Sequence, residues 1–168
     1  VAADACEATE GDDPGDDLPL AAEWALWRQL AAKSPAEGDA ERRSLEALVR
    51  RCEEGGMSLV LPVLRTLLAT ASADDEPARF AAATTAVSAS GRASNAAIEL
   101  GAWTPWEAWA AARALHLAGA RDKAMAHAQR GLDWVRRTAS ERVPPAFRAS
   151  FSERHPLHRE LARLAARR

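Results

Sequence analysis

Two groups of side chains in this 168-residue chain have the types and spacing for chemistry. The first is His155 and His158, in the run HPLH. Imidazoles at i and i+3 could hold a metal ion, and Glu153 and Glu160 flank them, but no Cys, Asp or third His stands nearby. The preferred reading is a capping His155 and a surface His158, with no metal site expected. The second group is the aromatic cluster Trp103, Trp106 and Trp109. On one helix, Trp106, Ala110, Ala114 and Leu117 form one stripe, and Trp109, Arg113 and His116 form another. The plain reading makes both stripes core, one facing each neighbouring helix. The functional reading has Trp109, Arg113 and His116 line a concave groove, because aromatic and arginine side chains dominate binding hot spots. An exposed Arg113 over an indole face would add about 0.5–1 kcal/mol. These three are the candidate partner-binding residues.

Catalytic sets are not expected. No serine stands in a GxSxG elbow. The carboxylate pairs Asp74-Asp75 and Glu53-Glu54 fall at helix ends, where caps and solvated charges account for them. Gly55-Gly56 reads as a helix stop and not as a phosphate loop. No enzymatic activity and no cofactor are therefore expected. Cys6 and Cys52 are the only cysteines, one in a polar leader and one on an apolar stripe. That usage fits a reducing compartment, and a cytoplasmic location is expected.

The elements that would position these residues are helices. Alanine is abundant, Tyr is absent, and Ile98 is the only isoleucine. So few β-branched and aromatic residues among so many helix formers predict an all-α fold. Net charge is −2, but it is unevenly placed. Residues 1–17 hold seven acidic and no basic residues, while Arg136 to Arg168 hold nine arginines against three glutamates. The leader reads as disordered. The arginine-rich end lacks aromatic interleaving on a basic face, so nucleic acid is not an expected partner. No apolar run is long enough to span a membrane, and the acidic start does not resemble a signal peptide. The chain opens on Val, which predicts a piece of a longer protein.

The punctuation predicts nine helical segments. Asp17 caps a first helix to about Lys33, with Pro19 in its first turn. Asp39 caps a second that ends at Gly55-Gly56, with Leu45, Leu48, Val49 and Cys52 as one stripe. Ser58 caps a third, apolar on nearly every side. A fourth runs from Asp75 to about Ser90 and stops at Gly91, and a short fifth covers 93–100. Thr104-Pro-Trp-Glu107 reads as a capping box opening a sixth, which runs to Ala118. The seventh runs from Arg121 to Thr138. Past Pro144-Pro145 come a short helix around Phe147 to Phe151 and a last one from Pro156 to Ala166. Turns this short predict antiparallel neighbours in one domain over 18–168, closed by a capping segment over 142–168.

Leu115, Gly119, Ala124, Ala128, Gly131 and Leu132 follow a spacing that resembles the tetratricopeptide repeat. In that repeat, small residues on the second helix admit the first. Ala108 stands where the repeat has a large residue. The tail is similar to the closing segment of large bacterial signal-transduction ATPases and transcriptional activators. It matches at Val143, Pro144, Phe147, Arg148, Ser150, Phe151, Arg154, Pro156, Arg159 and Leu161, within a similarity from about Trp106 to the C-terminus. That resemblance implies a tetratricopeptide-like right-handed array of helical hairpins. The chain has neither the GxxxxGK[ST] nucleotide loop of those proteins nor a recognisable DNA-binding helix-turn-helix. Phe147 and Phe151, at i and i+4, are expected to plug the open end of the last hairpin.

The expected function is a non-catalytic protein-interaction or sensing module, the C-terminal part of a larger bacterial regulator. Its partner would be a protein, a peptide or another domain of the parent chain. The alternative is a helical effector-binding domain with a tryptophan-lined pocket.

Overall fold

The computed structural model describes residues 17–31, 39–71, 76–94 and 103–166, so the acidic leader lies outside the described residues. Among the described residues are eight α-helices and no strand, as the composition predicts. They are α1 (Leu18–Ala31), α2 (Asp39–Glu54), α3 (Leu61–Ala71), α4 (Glu76–Ser94), α5 (Thr104–Leu117), α6 (Arg121–Arg142), α7 (Arg148–Arg154) and α8 (Pro156–Ala166). A single 3-10 turn, Pro145–Phe147, precedes α7.

Several boundaries follow from local chemistry. The Asp17 carboxylate accepts the Leu20 N–H at 3.1 Å, satisfying one orphan donor at the start of α1. α2 and α5 end on left-handed glycines, Gly56 at φ 70° and Gly119 at φ 74°. In each case the next N–H reaches back to the last turn: Met57 to the Cys52 carbonyl and Ala120 to the Leu115 carbonyl, both at 2.9 Å. Val143 is extended, at φ −100° and ψ 127°, as a residue before proline must be.

Other boundaries differ from expectation. Ser58 does not cap α3; the Val60 carbonyl takes the first N–H groups, from Val63 and Leu64, both at 3.1 Å. α4 runs through Gly91 to Ser94, since an isolated helical glycine costs only about 1 kcal/mol. The expected fifth helix therefore loses its first residues to α4, and the rest of it lies outside the described residues. Trp103 already has helical dihedrals at the cap position of α5, so Thr104 is the first helical residue and not the cap. α6 continues past Thr138 to Arg142, because nothing breaks a helix before Val143-Pro144. The Asp39 side chain lies outside the described residues.

One core joins most of these helices. Leu26 of α1, Cys52 of α2, Leu64 of α3, Trp109 of α5, Ala128 of α6 and Leu161 of α8 are all fully buried within it. Ala83 of α4 packs with Leu115, Ala118 and Ala124 in an adjoining cluster around the α5–α6 turn. α5 lies at the centre, buried along most of its length from Pro105 to Leu115. Its alanines let neighbours approach closely. A Cβ on Gly131 of α6 would fall 2.9 Å from the Ala108 Cβ and 3.0 Å from two Leu161 carbons. The small residue at Ala108, which departs from the repeat pattern, thus makes room for α6 and α8 together.

Candidate functional site

The three candidate partner-binding residues do not form an open groove. Trp109 has no exposed surface. Its Nε1 is buried without a hydrogen-bond partner, and its ring meets Trp106 edge-on at 5.6 Å. Arg113 keeps its guanidinium 5.4 Å from the Trp109 ring centroid and donates from Nη1 to the backbone carbonyl of Gln29. Gln29 lies in the last turn of α1, where carbonyls lack intrahelical donors and a cation is favoured. Arg113 therefore ties α5 to the end of α1. His116 is partly buried in the last turn of α5. The plain reading of the two stripes holds for Trp106 and Trp109, both core. The physical reason is that other helices enclose α5 from Pro105 to Leu115, so both stripes are buried at their tryptophans and only partly exposed towards Arg113, His116 and Leu117.

The histidine pair also departs from expectation. His158 is not on the surface; it is 3% exposed, with its Nδ1 2.7 Å from the Phe151 carbonyl. The carbonyl can only accept, so Nδ1 donates and carries the proton. The His155 ring stacks on His158 at 4.3 Å and lies 5.6 Å from Trp27 of α1. Trp27 in turn meets Trp106 edge-on at 5.2 Å. His155 stands between α7 and α8 and offers its carbonyl to the Arg159 N–H at 3.1 Å, so its backbone does the capping. Its Nδ1 is buried without a hydrogen-bond partner. Burial holds both imidazoles below the usual histidine range. For His158 the Phe151 hydrogen bond opposes burial and the neighbouring His155 adds to it, both more weakly. The pair is a packing joint that docks the C-terminal segment on α1.

Phe147 does not plug into the core as expected: it is 63% exposed. It closes the 3-10 turn, and Leu157, Leu161 and Leu164 of α8 cover the core in its place. Phe151 is partly buried, edge-on to His158 at 4.8 Å.

An open cleft lies elsewhere, between α1 and α2, with a volume of about 170 Å³. On α1 it is lined by Ala21, Trp24, Ala25 and Arg28, at i, i+3, i+4 and i+7, so one helical face supplies all four. On α2, Ser44, Leu48 and Arg51 share a face by the same periodicity. Leu45 and Leu48 are buried, and they form an apolar floor. The Arg28 guanidinium lies over the Trp24 ring, 4.6 Å from its centroid. The sequence alone does not reveal this cleft, which appears only when the faces of the two consecutive helices α1 and α2 are laid side by side. The available signal was the coincidence of Trp24–Arg28 and Ser44–Leu48–Arg51 spacings.

Among the described residues, no group of three or more His, Cys, Asp or Glu is placed to hold a metal ion. No helix among them is long and apolar enough to cross a membrane. Comparison with protein-family models, with curated proteins and with solved structures found no match.

Proposed function

We propose that this chain is a non-catalytic protein-interaction module, built as tetratricopeptide-like antiparallel helical hairpins. It serves as the C-terminal part of a larger bacterial transcriptional regulator or signalling ATPase and works in the cytoplasm. The observation that carries the interaction reading is the α1–α2 cleft: two guanidiniums and an indole around an apolar floor. Arginine and tryptophan are the residue types that concentrate binding energy at interfaces. Two contacts support the hairpin arrangement. Leu18 at the start of α1 lies against Gly55 at the end of α2, and Ala108 lies against Gly131, each about equally far from the turn at Gly119. The regulator assignment rests on the tail residues from Val143 to Leu161 and on their order.

Size favours a peptide over a small effector. Sites for drug-sized molecules run to about 300–1,000 Å³, whereas this cleft offers about 170 Å³. It suits one large side chain of a docked segment better than an enclosed effector. Selection of random peptides on the immobilised chain, with counter-selection on an Arg28→Glu/Arg51→Glu variant, tests the reading. Enrichment of sequences that the variant no longer holds is expected. Failure to enrich any sequence that distinguishes the two proteins would contradict it, and saturable binding of a metabolite that quenches Trp24 would favour the effector alternative.

A further inference from the structure

We propose that the stacked His155 and His158 form a proton-operated latch, which holds the α7–α8 junction on α1 while neutral and releases it when protonated. The latch shares no residue with the lining of the α1–α2 cleft, so it stands independently of the interaction reading. α7 contributes no buried residue of its own. Its first residue is tied to the end of α6, where the Arg148 guanidinium donates to the Val143 and Ser140 carbonyls, both at 3.0 Å. Its far end is held through the histidines. His158 donates to the Phe151 carbonyl at 2.7 Å and stacks on His155, whose ring lies 5.6 Å from Trp27. An element with so little buried surface opens locally at low cost, so the latch decides whether this end stays closed. Protonation strikes it at both rings, because an imidazolium carries a proton on each nitrogen. At His155 that places an N–H at Nδ1, which is buried with no hydrogen-bond partner among the described residues. At His158 Nδ1 already donates, so the added proton goes to Nε2, in a ring centred 4.3 Å from His155. Stacked cations repel, and a buried charge without a partner is costly; opening gives both to water. Charged side chains stand on the helices around the pair: Glu23 on α1, Glu107 on α5, Arg142 on α6, Glu153 and Arg154 on α7, and Arg159 on α8. None of them offsets the burial that keeps the rings neutral, and the one charge that acts on His158 is His155 itself. Glu23 is occupied with the Trp27 Nε1–H at 3.4 Å.

NMR of the whole chain, titrated from about pH 7.5 to about pH 4.5, tests the latch. Histidine ring shifts read protonation. Nuclear Overhauser contacts between the His155 and Trp27 rings, and between Phe151 and His158, read closure. Both contacts are expected to lose more than half their intensity in step with the ring titration. Contacts between Trp106 and Trp109 should persist at that point, because the core around α5 does not depend on the latch. His155→Phe keeps a flat ring against Trp27 without a charge, and should hold the Trp27 contact to a lower pH than the wild type. His158→Asn, which can still donate to the Phe151 carbonyl, supplies the same comparison if that variant misfolds. Contacts that survive to about pH 4.5, whether or not the rings titrate, would overturn the proposal. So would release of a folded variant at the wild-type pH. Loss of the Trp106–Trp109 contact at the same midpoint would also overturn it, since the acid transition would then be unfolding of the whole molecule and not the opening of one joint.

Discussion

At the scale of single residues, the side chains with the most chemical promise are structural. Arg113 illustrates this. Its guanidinium satisfies a carbonyl at the end of α1, so Arg113→Ala leaves that carbonyl without its donor and should cost about 1–3 kcal/mol. Thermal melts are expected to register that loss while peptide affinity at the α1–α2 cleft stays unchanged; a variant that keeps its Tm but loses the peptide would return Arg113 to the binding face. The histidines give a pH prediction. Burial lowers the pKa of His127, His155 and His158 below 6.5, with Arg130 adding a smaller push on His127. A group whose folded pKa is depressed takes up more protons when unfolded. Stability is therefore fully present above the unfolded value, declines as pH falls through the window, and levels off below the folded values. Denaturant midpoints measured from about pH 7.5 down to about pH 5 should fall, and His155→Phe should flatten part of that slope. A midpoint independent of pH over that range would contradict the buried neutral pair. Cys52 has no exposed surface, and burial raises its thiol pKa against a weaker opposing effect of Arg51. Peptide mapping after alkylation should find Cys52 modified only in denatured protein; labelling of native protein would show an opening of α2 that this packing does not predict.

At the scale of helices, small residues set the distances. Gly131 has no room for a side chain between Ala108 and Leu161. Gly131→Val should cost about 3 kcal/mol through overpacking, against about 0.5 kcal/mol or less for Phe147→Ala on the surface. Calorimetry of the two variants checks the contrast, and equal Tm shifts would mean that α5, α6 and α8 do not meet there. Much at this scale is legible in the sequence. The Ala124, Ala128 and Gly131 stripe, the Gly56 and Gly119 stops, the Asp17 cap and the extent of α8 all follow from local rules. What local rules miss is competition between signals. Gly91 reads as a stop, yet it is tolerated mid-helix. Thr104 reads as a cap, yet Trp103 already has helical dihedrals. Phe147 and Phe151 have helical spacing, but a 3-10 turn ends at Phe147 and separates their environments.

At the scale of the whole molecule, the all-α class is read directly from composition, while the cleft is not. Trp24, Arg28, Ser44 and Arg51 acquire meaning only from the packing of α1 on α2, which no single-helix periodicity encodes. The opposite error befell Trp109: a helical stripe of Trp, Arg and His looks like a binding face until the helix carrying it is enclosed by neighbours. The molecule thus divides into an interior held by tryptophans, alanines and stacked histidines, and an arginine-flanked opening at its N-terminal helices. The central claim is that this opening is where the chain meets a partner. Amide hydrogen exchange of the full chain, with and without a peptide selected on it, tests that claim most directly. Protection concentrated in Ala21–Gln29 and Ser44–Arg51, and lost in Arg28→Glu/Arg51→Glu, is the predicted result. Protection confined to α6–α8, or unchanged by the double substitution, would contradict it.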